Sequence, residues 1–88
     1  MTRRRLSDLP PAQQAGILCH DARFREYVGR HCLGLKWAVS ESAAAHWLRG
    51  ACLVESRADL NGNDLARQRF ECIRTDFDAW RGRIARPP

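Results

Sequence analysis

Residues 64–84 read DLARQRFECIRTDFDAWRGRI, and their spacing decides the fold class. Ala66, Phe70, Ile73, Phe77, Trp80 and Ile84 recur at steps of 4, 3, 4, 3 and 4. A helix turns about 100° per residue, so these side chains gather in one apolar seam. Such a seam is intramolecular core in a small domain, with a dimer interface as the alternative. Arg67, Glu71, Arg74, Asp78 and Arg81 follow the same steps with alternating sign. Neighbours at those spacings pair on a solvated face, and the interleaved acids would repel the phosphates of DNA. Trp80 and Ile84 come last, so they are expected to outrun a small body and offer an apolar contact to a partner protein.

Upstream the same helical period continues. Asn61-Gly62-Asn63 is a stop, and Asn63 or Asp64 caps the last helix. Ser56 begins a short helical turn through Leu60. Ser40 caps a third helix with Glu41 in its first turn, and Ala44, Trp47, Leu48 and Ala51 form its buried face. Gly50 is a possible contact point on that helix, and Lys36 to Val39 reads either as a turn or as a strand-like connector. Asp21 caps a second helix whose stripe is Phe24, Tyr27, Val28, His31 and Leu35. Gly29 and Gly34 weaken it, and Gly34 is the expected end. His31 on that stripe reads as a hydrogen-bonded core histidine. Ser7 or Asp8 caps a first helix with Pro10 or Pro11 in its opening turn, running through Cys19. Gly16 inside it predicts a close helix crossing. The expectation is an all-α, compact single domain over residues 1–88, with about four main helices, a short helical turn, and basic ends at 1–6 and 81–88.

Composition narrows the function classes. The chain has 88 residues, 44% hydrophobic and 28% charged, which is globular rather than disordered or collagen-like. Its longest apolar runs, such as Ala51 to Val54, are far below the roughly 20 residues a membrane span needs. A core this small leaves no volume for an enclosed cofactor, so none is expected and a binding face is favoured over a deep pocket. The net charge is +5, but Arg3, Arg4, Arg5, Arg81, Arg83 and Arg86 supply more than all of it, leaving Leu6 to Trp80 near −1. These six arginines are the candidate nucleic-acid contacts, acting on backbone phosphates without reading sequence. The basic start is followed by Asp8, Pro10 and Pro11 instead of an apolar signal core, which points to the cytoplasm and reduced thiols.

No chemistry-bearing motif emerges. Cys19, Cys32, Cys52 and Cys72 include no CxxC pair, and adjacent Cys19-His20 and His31-Cys32 diverge by about 100° on a helix. The expectation is four buried thiols and no metal site. Asp76 and Asp78 point to different sides of their helix, and Asn61-Gly62-Asn63-Asp64 lacks the rest of a calcium loop. Pairing a Cys with His20, His31 or His46 as a nucleophile would be arbitrary, and no catalytic residue is assigned. No helix-turn-helix, zinc-finger or RRM pattern is present.

The run Leu9-Pro10-Pro11-Ala12-Gln13-Gln14-Ala15-Gly16-Ile17-Leu18-Cys19, then Asp21-Ala22-Arg23-Phe24, is followed by Ala44-Ala45, Leu48-Arg49 and Cys52. Ser56-Arg57-Ala58-Asp59-Leu60 and Phe77-Asp78-Ala79-Trp80 complete the order. Together they resemble a family of small, largely uncharacterised phage- and prophage-encoded proteins associated with recombination and replication gene regions. The resemblance spans nearly the whole chain, carries over no catalytic residues and implies an accessory factor of a mobile element in the bacterial host cytoplasm; with no catalytic motif in the chain, a non-enzymatic role is expected. Such a factor would bind a protein complex of DNA processing or host defence, as monomer or homodimer. Sequence-independent DNA or RNA binding through the Arg ends is the first alternative. Inhibition of a host nuclease complex, in the manner of an anti-CRISPR protein, is the second.

Overall fold

Asp21, Ser40 and Asn63 each end an extended residue with a side-chain oxygen that accepts a backbone N–H from the helix it starts. Asp21 accepts from Arg23, Ser40 from Ala43 and Asn63 from Ala66. These caps open α2 (Ala22–Glu26), α3 (Glu41–Cys52) and α4 (Asp64–Trp80), and α1 (Pro11–His20) precedes them. The structure, a computed structural model, describes residues 6–82. Short 3-10 turns at Leu6–Asp8 and Arg57–Asn61 and a π-helical turn at Tyr27–Cys32 complete the elements, and no strand occurs among the described residues. The protein is an all-α domain of four helices with short helical turns, and no helix among the described residues is long and apolar enough to cross a membrane.

α1 is capped differently from the sequence expectation. Ser7 and Asp8 lie in the preceding 3-10 turn, and Pro10 holds the cap position without a side-chain bond. The Ala12 N–H instead donates to Asn61 Oδ1 at 3.0 Å, from the turn before α4. Asn61 thus ties the start of α1 to a segment 49 residues away. Asn61→Ala is expected to lower stability by about 1 kcal/mol, as loss of an N-cap does, measured by urea unfolding. The close crossing expected at Gly16 is also corrected. What faces it is the Arg57 guanidinium, 3.7 Å from where a Cβ would stand.

α2 passes without a break into a π-helical turn, Tyr27–Cys32, closed by the Leu33 N–H donating to the Val28 carbonyl at 3.0 Å. The helix ends there, and Gly34 follows with φ +69°. The Lys36–Val39 segment is neither helix nor strand. It lies back across the π turn: Leu35 N–H donates to the Gly29 carbonyl at 2.8 Å and Val39 N–H to the Arg25 carbonyl at 3.2 Å. Gly29 is buried under it, with the Trp37 carbonyl oxygen 2.0 Å from where its Cβ would be. Only a glycine admits backbone that close.

The core joins all four helices. Phe24, Phe70, Phe77, Leu48, Leu60, Val28, Cys19 and Cys52 are fully buried. Phe77 stands edge-on to Phe24 with centroids 5.2 Å apart, and Tyr27 touches Phe24, Trp47, Phe77 and Trp80. The α4 seam is therefore core at Ala66, Phe70 and Phe77, with Ile73 and Trp80 half-buried against it; Ile84 lies outside the described residues. On α3, Ala44 and Leu48 are buried as expected, joined by Ala45 and Cys52, while Trp47 and Ala51 are half-buried.

The charged face of α4 forms only in part. Arg81 pairs with Asp78 at 2.8 Å, but Arg67 reaches Asp64 at 3.0 Å. Arg74 turns inward and donates to the Oε1 of buried Gln14, whose Nε2 donates to the Leu9 carbonyl. A buried amide must be satisfied, and that demand draws Arg74 out of the surface ladder.

Candidate functional site

The π turn brings Tyr27, His31 and Cys32 to Asp76 of α4. Tyr27 Oη donates to Asp76 Oδ2 at 2.6 Å, and His31 Nε2 lies 3.3 Å from the same oxygen. His31 also stacks on Tyr27, ring centroids 5.3 Å apart. It is exposed at the rim of the core, not inside it, because the π turn directs it toward Asp76 of α4. Burial, with Asp76 accepting a hydrogen bond from the protonated phenol, pushes Tyr27 well above its ordinary range. Burial likewise raises the Cys32 thiol, with Asp76 adding to the effect. Both groups hold their protons at neutral pH. The Tyr27–Asp76 hydrogen bond ties the π turn to α4.

The cysteines divide by face. Cys19 and Cys52 are buried, and burial raises both thiols. Cys32 is half-buried, and Cys72 is exposed, which corrects the expectation of four buried thiols. Cys72 sits about 200° around α4 from Phe70, on the solvent side. Among the described residues no group of three or more His, Cys, Asp or Glu side chains is placed to hold a metal.

Of the six arginines expected to meet nucleic acid, Arg81 alone is described; Arg3, Arg4, Arg5, Arg83 and Arg86 lie outside the described residues. Arg81 is committed locally. Its Nε and Nη2 both donate to Asp78 Oδ1, and its guanidinium lies 4.5 Å over the Phe77 ring. Residues 6–82 carry ten basic and ten acidic side chains, so the described body is balanced and the surplus of five belongs to the other arginines.

Trp80 does not stand clear of the body. It packs on Tyr27 and Phe77 at 5.7 and 6.4 Å, with Arg23 over its ring. The exposed apolar side chains are elsewhere: Ile17, Leu33, Trp37, Leu53 and Leu65. Leu53 ends α3 in the left-handed region (φ 59°), where a leucine is strained. Trp37 is 62% exposed on the segment clamped over Gly29, and Leu33, 48% exposed, precedes it after the π turn. A tryptophan held outward on pinned backbone loses little freedom on binding, which is what a contact anchor requires. Trp37 was legible only as part of an ambiguous connector, and Gly29 read only as a weak point in the second helix, whereas the structure shows it to be the site of the close crossing. Compared with family profiles, curated proteins and solved structures, the chain matches none.

Proposed function

We propose that this chain is a non-catalytic binding protein that docks on a partner protein through Trp37. The observation that carries the reading is the most exposed tryptophan of the described body standing on backbone that two hydrogen bonds and a buried glycine hold in place. Large aromatics on rigid supports dominate interface energies. The sequence resemblance extends the reading to a phage or prophage accessory factor. Its partner would be a complex of DNA processing or host defence in the bacterial cytoplasm.

The test compares the intact protein with Trp37→Ala as baits in lysate of a bacterial host. Trp37 touches little of the core, so the variant is expected to keep its circular dichroism spectrum and unfolding midpoint. It should lose a specific partner, with affinity falling about 30-fold or more, as for removal of a 2 kcal/mol anchor. Identical partners on both baits would remove the reading. A wild-type dimer that becomes a monomer on Trp37→Ala would make the partner a second copy.

The segregation of charge favours direct nucleic-acid binding as the second reading. Five arginines engaging five phosphates would give a log–log salt slope of about −4.5 for DNA binding. Removing residues 2–5 and 81–88 is expected to abolish that affinity while leaving helix content largely intact. Undiminished affinity in the trimmed chain would place the contact on the balanced body instead.

A further inference from the structure

The geometry points to a site for a terminal phosphate in the cleft between the start of α3 and the 3-10 turn Arg57–Asn61. Ser40, Glu41, Ser42, Ala45, Arg49 and Arg57 line this space of about 560 Å³. Ser42, Ala45 and Arg49 fall at steps of three and four, so one face of α3 forms one wall. Ala45, between them, is small and leaves room. Arg57 closes the other side from a turn fixed by a capping box, Ser56 with Asp59. Its guanidinium rests against Gly16 and beside the buried Cys19 thiol.

The two arginines of this cleft ask for an anion. Arg49 and Arg57 are both half-buried, yet neither forms an ion pair with a carboxylate among the described residues. Of the other half-buried arginines, Arg74 and Arg81 have an oxygen partner while Arg25 and Arg69 form no ion pair among the described residues; what sets Arg49 and Arg57 apart is that they line one cleft. Arg57 meets the Cys19 thiol but no carboxylate among the described residues, so both guanidiniums lining the cleft keep N–H donors for a shared oxyanion, held through charge-assisted bonds. The Ser42 hydroxyl, 3.4 Å from that of Ser40, stands on the same wall as a further donor. Glu41 is the opposing group. Its carboxylate is drawn toward α1, 3.0 Å from His20 Nδ1, but it still lines the cleft. A compact dianion facing two arginines overcomes one carboxylate more readily than a polyanion running past it. This favours a phosphate monoester, or free phosphate, over the internal diesters of a nucleic-acid backbone. The site is independent of Trp37.

The test follows backbone and arginine side-chain N–H signals of the full chain by NMR during titration with inorganic phosphate, against sodium chloride at matched ionic strength. Saturable shifts are expected at Ser42, Arg49 and Arg57, and chloride should not reproduce them. Arg49→Gln and Arg57→Gln should each weaken binding about tenfold or more, as loss of a bond to a charged group does. Glu41→Gln should tighten it several-fold, and Arg69→Gln on α4 should leave it unchanged. Short DNA with and without a 5′-phosphate identifies the source: shifts needing the 5′-phosphate assign the site to nucleic-acid ends, and shifts with inorganic phosphate alone assign it to a small molecule. Linear shifts matched by chloride, saturation untouched by either arginine change, or equal binding of unphosphorylated DNA at this cleft would each overturn the proposal.

Discussion

Gly29→Ala is expected to lower stability by about 3 kcal/mol, with an unchanged urea m-value. An alanine Cβ at this position would lie 2.0 Å from the Trp37 carbonyl oxygen, 3.1 Å from its carbon and 3.3 Å from Ala38 Cα. All three are backbone atoms, so no side chain can swing away. The segment must lift or the π turn must distort. Lifting breaks the bonds from Leu35 to Gly29 and from Val39 to Arg25, each worth about 1 kcal/mol. It also pulls half-buried Val39 off the core, which costs about another 1 kcal/mol. A domain of this size has a total stability of about 4–13 kcal/mol, so the loss is severe. Gly34→Ala is the control. Nothing lies within 4 Å of its Cβ position, and only the positive φ resists substitution, so about 1 kcal/mol is expected. Equal costs at the two positions would mean that conformation, not the crossing, governs Gly29. The variant also tests presentation: once the segment lifts, Trp37 loses its fixed direction, and binding through it should fall even where the rest of the helices survive.

What was legible in the sequence was local. Asp21, Ser40 and Asn63 act on N–H groups two or three residues ahead, so their identity and position suffice. The 4-3 spacing of α4 likewise reports its buried side without knowledge of what covers it. What was not legible joins distant segments. Asn61 reads as a turn residue, yet its oxygen caps α1. Gln14 reads as a polar helix residue, yet it is buried between Leu9 and Arg74. Trp37 and Trp80 are the same side chain in the same composition. Trp80 continues a seam that meets Tyr27, whereas Trp37 follows Gly34 on chain that turns its backbone, not its indole, to the core. The basic ends were legible as charge alone, because a count assigns no partner. Arg81 counts as a free cation there, but Asp78 neutralises it.

Phe77→Ala is expected to destabilise the protein by about 3–5 kcal/mol, the range for truncating a buried aromatic. Phe77 is fully buried and meets Phe24, Tyr27 and Trp80 within 5.2–6.4 Å. Removing its ring empties the junction of α2 and α4 and strips Arg81 of the surface beneath its guanidinium. Aromatic pairs of this geometry add about 0.5–1.5 kcal/mol beyond area, so Phe77→Leu should recover much but not all of the loss. Cys72→Ala, on the solvent side of the same helix, should stay within about 0.5 kcal/mol of wild type. This gradient separates a core seam from a dimer seam. In a dimer seam the wild-type melting temperature would rise with protein concentration, and Phe77→Ala would remove that dependence. A core seam gives a concentration-independent melt and a large loss in the monomer. The Tyr27–Asp76 bond spans the same junction, so loosening it in Phe77→Ala should also mobilise the π turn beneath Trp37. Partner binding should then weaken in step with stability, whereas Trp37→Ala should weaken binding alone.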